Sequence, residues 1–205
     1  VAPARDLFTV AKAVSTTAVL SQNRAMLGVA AGWCADEFAQ TGQDFANRGK
    51  RLDEMIAALG LLFTGEAVSF HGEHYDFADV TIRPVPDAKI PLIVGGNSKP
   101  AMRRAATLGD GWIPAASAQP DELEAMLAEM HRLRAEAGRQ DEPFEIIAAL
   151  AALPDKDLYA RFEELGVTGV MQAPWLTRSP YKDRYGYDAD HVRTRMEAFA
   201  ETFIA

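Results

Sequence analysis

PLIVGGNSKPAMRRAATLGDGWIPA, residues 91–115, carries the clearest structural signal in the chain. An apolar run from Pro91 to Val94 ends in two glycines, Gly95 and Gly96. Ser98 then caps a predicted helix over 99–108, in which Pro100 is tolerated because first-turn amides have no internal acceptor. GWIPA (111–115) follows as a second strand. A strand, a glycine turn, a helix and another strand make the repeating unit of a parallel α/β sheet.

Outward from this unit the same rhythm continues. Toward the N-terminus, MLGVA (26–30) reads as a short strand ending near Gly32. Before it, residues 6–20 read as a helix with Leu7, Val10, Ala11, Val14 and Ala18 on one face. Asp44 is expected to cap a helix in which Phe45, Leu52, Met55, Ile56, Leu59, Leu62 and Phe63 recur at helical spacing. VSFHGEHYDF (68–77) predicts a hairpin around Gly72. Toward the C-terminus, Pro120, Asp121 and Glu122 open a helix whose apolar face is Leu123, Met126, Leu127, Met130 and Leu133. Strands are expected over 144–150 and 167–173, with a helix over 158–165 stopped by Gly166 between them. A last helix is expected from Asp188 to Ile204, with Val192, Met196, Phe199 and Phe203 facing inward. The fold class is therefore α/β with five strand–helix units, strands near 27, 92, 112, 147 and 170. Such a chain closes either as a barrel or as an open doubly wound sheet, and periodicity does not choose.

Composition bounds the function. Of 205 residues, 48% are hydrophobic and 24% charged, a globular balance. Asp and Glu number 29 against 21 Lys and Arg, net −8, which argues against non-specific nucleic-acid binding. Greasy stretches such as Ile146–Leu153 fall well short of the ~18–20 residues a membrane span needs. Cys34 is the single cysteine, so neither an intrachain disulfide nor a cysteine cluster forms, which fits a reducing compartment. VAPARDLF at the N-terminus lacks the pattern of a signal peptide, and a cytoplasmic protein is expected. It also lacks an initiator Met, so the chain is expected to be processed or a piece of something longer.

The strongest chemical signal is VGGNSKP (94–100). The amides of Gly96, Asn97 and Ser98 are expected to point outward at a helix N-terminus, a ready phosphate site. The plain alternative is an ordinary strand-to-helix turn. GVAAGW (28–33) is a second glycine-rich turn. Taken alone it favours a tight turn with Trp33 packed in the core. His71, Glu73 and His74 lie in a predicted hairpin where side chains alternate faces, so no metal site is expected. His131 and His191 read as surface or partly packed histidines, Ser98 lacks a hydrolase frame, and Cys34 shows no pattern of a nucleophile. Arg103 and Arg104 either assist an anion or are solvated. The DGW turn, Asp110 to Trp112, reads as a strand entry with a packed indole.

Taken together, the run from GVAAGW through RGKRLDEMIAALGLLFTGEAVSFHGEHYDF, and then PLIVGGNSKPAMRRAATLGDGWIPA, resembles the luciferase-like monooxygenase family. The resemblance is densest over residues 5–116 and is greatest to the branch using the deazaflavin coenzyme F-420. It implies a (β/α)8 TIM-barrel type fold, incomplete here, with the five strands standing as barrel strands four to eight. Residues 1–205 would form one domain, with an inserted hairpin region at about 66–90. The resemblance places the cofactor's phosphate on Gly95, Gly96, Asn97 and Ser98. It places the pocket lining on Ala30, Ala31, Gly32 and Trp33, with Ala30 standing where members often have glycine. The family's ring-facing and proton-donating side chains often come from barrel strands one to three, which have no counterpart here, so no catalytic acid or base is assigned. The implied activity is hydride transfer or monooxygenation of a small organic substrate with F-420, or alternatively FMN. A homodimer is expected, with no nucleic-acid or membrane partner. Two other readings stand: a non-catalytic flavin-binding or interaction protein on a truncated barrel, and an unrelated phosphate-binding α/β protein.

Overall fold

The computed structural model describes residues 1–173 and 189–204, which group into two compact units. The first comprises Val1–Ala115 and Glu129–Glu145, the second Ala116–Ala128 and Ile146 onward.

In the first unit, α1 (Leu7–Leu20) starts where the Asp6 carboxylate accepts the Thr9 amide at 2.7 Å. That bond holds the Asp6 carboxyl below its ordinary range. Leu7, Ala11, Ser15 and Ala18 are buried, a stripe at helical spacing. Ser15 is the polar member, and its hydroxyl donates to the Pro84 carbonyl. The strand β1 (Leu27–Val29) follows. Next comes α2 (Ala35–Gln40), a six-residue helix that the sequence reading did not anticipate. It buries Phe38, whose ring meets Phe45 edge-on at 5.4 Å.

The helix expected from Asp44 begins later, as α3 (Arg48–Leu62). Asp44 instead accepts the Ala46 amide at 2.8 Å, a local turn that precedes the helix. Leu52, Met55, Ile56, Leu59 and Leu62 are buried as the spacing predicts. The expected hairpin is β2 (Val68–His71) paired antiparallel with β3 (Asp76–Val80). Its Phe77 stacks on Phe70 and meets Phe8 of α1 edge-on at 5.3 Å. Its turn is held by Glu54 of α3, whose carboxylate accepts the amides of Glu73, His74 and Tyr75 at 2.9, 2.8 and 3.1 Å.

The core of this unit is three parallel strands in the order β1, β4 (Leu92–Gly95), β5 (Gly111–Ile113). Leu27 pairs with Leu92, and Ile93 pairs with Gly111. Leu92, Ile93 and Val94 are all buried, as a strand covered on both faces requires. Between β4 and β5 runs α4 (Lys99–Leu108), capped as expected by Ser98. The loop after α5 (Pro120–Glu136) is tied down by Arg134, 3% exposed, which donates to the carbonyl of Glu142 at 2.7 Å and lies over the Phe144 ring.

In the second unit, β6 (Glu145–Ala149) pairs in parallel with β7 (Gly169–Met171). The helix between them, α6 (Lys156–Glu164), is capped by Asp155 and buries Phe162. Gly166, at φ +90°, ends the segment as the sequence reading requires. The last helix, α7 (Ala189–Phe203), departs from expectation. None of its described residues is buried, and Met196 is 50% exposed. Phe199 and Phe203 stack on one another, and Phe203 meets Tyr159 of α6, so the aromatic face is only partly covered. Asp188, the expected first residue of that helix, lies outside the described residues.

Candidate functional site

The turn that joins β4 to α4 is built almost wholly from backbone. A Cβ on Gly95 would lie 3.3 Å from the Ala30 Cβ, so the turns after β4 and β1 meet there. Gly96 has φ +131°, a conformation that L side chains rarely adopt, and a Cβ there would sit 2.8 Å from Ala101. The Gly96 amide donates to the Ile113 carbonyl at 3.0 Å. Its carbonyl accepts the Trp112 indole N–H at 2.8 Å. Asn97 Oδ1 accepts the Ala115 amide at 2.9 Å, and Ser98 Oγ accepts the Ala101 amide at 3.4 Å.

This corrects one expectation. The Gly96 amide does not point outward; the ladder to β5 takes it. The amides that remain for an anion are those of Asn97 and Ser98, with Lys99 as the first residue of the ten-residue helix. There the helix dipole gathers partial positive charge. Trp112 is fully buried, as the packed-indole reading expects. Its indole also acts as a polar strut, which the sequence alone does not reveal.

The turn after β1 is looser. The Ala30 carbonyl accepts the Ala2 amide at 3.3 Å. Gly32 has φ +87°, and a Cβ there would come within 2.9 Å of the Phe38 ring. The Gly32 carbonyl accepts from Arg48 Nε at 3.2 Å. Arg48 also donates to the Phe45 carbonyl at 2.9 Å and lies 3.8 Å over the Phe45 ring. Trp33 is 87% exposed, so the core-packed reading of this indole is overturned. Gly32, which takes a positive φ of +87°, immediately precedes it. Ala30, Ala31 and Cys34 are half-buried.

The remaining candidates fall elsewhere. Arg104 is neither solvated nor left for a ligand anion: it pairs with the Asp53 carboxylate of α3 and donates to the Gly49 carbonyl at 3.1 Å. Arg103 is exposed. His71 pairs with Asp76 at 2.6 Å on the exposed hairpin. No group of three His, Cys, Asp or Glu stands ready to hold a metal among the described residues. No described helix is long and apolar enough to cross a membrane. Arg48 is the site residue that sequence reasoning missed. Its signal was weak, an arginine three residues after Phe45 at a helix start.

Residues 1–202 match the luciferase-like monooxygenase family, and the chain belongs to that family. It is 39% identical over 206 residues to an uncharacterized protein of Mycobacterium tuberculosis, covering 99% of this chain and 69% of that protein. It is 32% identical over 107 residues to an F-420-dependent glucose-6-phosphate dehydrogenase of Amycolatopsis mediterranei, 51% of this chain and 32% of that enzyme. A solved coenzyme F-420-dependent tetrahydromethanopterin reductase from Methanopyrus kandleri shares the fold, with TM-score 0.62 and 17% identity. That likeness covers 74% of this chain and 48% of the reductase. The chain thus spans between a third and about two thirds of the length of these relatives. The architecture is α/β of the barrel type, and the likeness to the F-420-dependent branch holds.

Proposed function

We propose that this chain is the part of an F-420-dependent oxidoreductase that grips the coenzyme's phosphate at the turn after β4 and lines its ring pocket with the turn after β1. The observation that carries this reading is the backbone of Gly95 to Ser98. Gly95 and Gly96 lack the Cβ that would crowd Ala30 and Ala101, Gly96 holds a positive φ, and Ser98 caps the ten-residue α4. A phosphate fits this cradle. When bound, the deazaflavin supplies two-electron hydride transfer to or from a small organic substrate.

The chain's own residues bind and orient. Asn97 and Ser98 would hold the phosphate through their amides, while Asn97 Oδ1 keeps the Ala115 amide and so fixes its own backbone. Ala30 and Ala31 would bound the ring on one side. Trp33, exposed beside them, offers a broad apolar face that keeps water from the ring once a ligand lies against it. The amino-acid likeness to an F-420-dependent dehydrogenase supports this coenzyme over FMN.

The test is a titration with F-420 followed by fluorescence, in parallel with FMN. F-420 is expected to bind the more tightly. Ser98→Ala with Gly96→Val should weaken it about ten- to a hundredfold, the worth of a charge-assisted contact of ~1.5–3 kcal/mol. Tighter binding of FMN would reassign the cofactor. Binding of F-420 without turnover of any small alcohol or carbonyl substrate would favour a non-catalytic binding protein.

A further inference from the structure

The two turns of the site come from strands on either side of one close contact, and the same short stretch of α3 holds the first turn and the helix α4 that continues the second. Arg48, the first residue of α3, grips the turn after β1 through the Gly32 carbonyl, 3.2 Å away. The next residue, Gly49, and Asp53, just over one turn beyond Arg48, grip Arg104 of α4, the helix that begins at the turn after β4. The pairing is two-pronged: Arg104 Nε reaches one Asp53 oxygen and Nη2 reaches the other at 3.3 Å. Nη2 also donates to the Gly49 carbonyl. A Cβ on Gly49 would lie 3.3 Å from that nitrogen, so glycine there keeps the approach open. The Arg104 side chain is only 9% exposed while Asp53 is 44% exposed, so the guanidinium is shielded and the carboxylate reaches it from the surface in a two-pronged geometry.

We infer that residues 48–53 of α3, with Arg104, form a single brace that sets the spacing of the two cofactor-facing turns. This rests on the reading of those turns given above. Arg48 and Arg104 are positioning residues: neither needs to touch the coenzyme. The RG pair at the start of α3 and the second arginine of the MRR run in α4, left without a role by the phosphate site, are explained together. The β1–β4 ladder, Leu27 to Leu92 through Val29 to Val94, sets where the two strands end, and the Ala30–Gly95 contact continues it into the turns. A helix that fastens both sides adds α3 to that ladder in fixing the distance from phosphate to ring pocket beyond the strand ends.

The experiment uses the full chain and two readouts. Coenzyme F-420 affinity is measured for Arg48→Met, Arg104→Met, their double variant and Arg104→Lys. Each methionine variant is expected to weaken binding about five- to tenfold, and Arg104→Lys to recover part of the loss. The two sites share no partner, so independent effects would multiply in the double variant. A shared brace predicts instead that the double variant binds about as weakly as the poorer single one. Multiplying effects, or unchanged affinity despite a lowered Tm, would overturn the brace. Hydrogen exchange without ligand gives the second readout and separates failure of the brace from failure of the coenzyme reading. Arg48→Met should speed exchange at residues 94–98, and Arg104→Met at residues 29–33. Exchange confined to the turn next to each substitution would overturn the brace whatever the coenzyme does.

Discussion

After β4, Gly96, Asn97 and Ser98 each engage a defined partner: Ile113 and Trp112, Ala115, and Ala101. After β1, the carbonyls of Ala30 and Gly32 are held, while Trp33 projects into solvent. Both turns follow short apolar strands and both contain glycine. The first is a wired backbone turn, which under the proposed function would seat a fixed anion. The second is an anchored backbone carrying a free apolar side chain, suited to a flat ring. Rigid polar recognition needs the surrounding polar groups fixed, because a misplaced dipole repels as readily as it attracts. Apolar contact needs area more than aim.

The largest expected effect breaks the wired turn from beneath. Trp112→Ala removes a fully buried indole and its bond to the Gly96 carbonyl, and should cost about 3–5 kcal/mol in urea unfolding. A cost under about 1 kcal/mol would show that the strut is dispensable. Gly96→Val forces a β-branched residue to φ +131°, for about 1–3 kcal/mol of strain, with F-420 affinity falling alongside stability. Ser98→Ala loses the cap of α4, worth about 1 kcal/mol in thermal unfolding.

A smaller, pH-dependent effect concerns the hairpin, a third place where a side chain organises a backbone turn. Burial pushes the Glu54 carboxyl up, but the amides of His74, Glu73 and Tyr75 outweigh it and hold it below its ordinary value of 4.5. Its contribution is therefore complete above that value and lost as pH falls through the lower, folded one. Amide protection at residues 73–75 should fade on acidification below pH 4.5 in the parent chain, and be weak at every pH in Glu54→Gln. The smallest stability effect belongs to the open turn. Trp33→Ala should change stability by less than about 0.5 kcal/mol while weakening coenzyme binding. A large loss of stability would mean that Trp33 packs in solution, and the contrast between the turns would fall.

Much of this was legible where the cause is local. Ser98 and Pro100 place the start of α4 because a cap and a proline act within one turn of chain. Gly166 stops its segment because positive φ is a property of that residue. α2 was missed because ADEFAQ offers a single buried side chain, Phe38, too little for a periodic signal. Asp44 misled because a side chain that caps a helix also closes a simple turn. The inward face assigned to α7 failed because periodicity tells which residues share a face, not whether anything covers it. Arg103 and Arg104 are adjacent and chemically identical, yet one is exposed and the other joins two helices. About 100° of helix rotation divides them, and only the position of α3 gives that rotation a meaning.

The sequence by itself determined the α/β alternation, the glycine turns and the helix that opens at Ser98. These follow from periodicity, capping and backbone freedom, which act over a few residues. Long-range packing alone settled that the Gly96 amide is taken by Ile113, that Trp33 faces solvent, that Arg48 of α3 reaches Gly32, and that Arg104 of α4 reaches Gly49. Those partners lie 16 to 55 residues apart in the chain. Hydrogen bonds act only across about 3 Å, so such pairs exist only once the core has brought their backbones together.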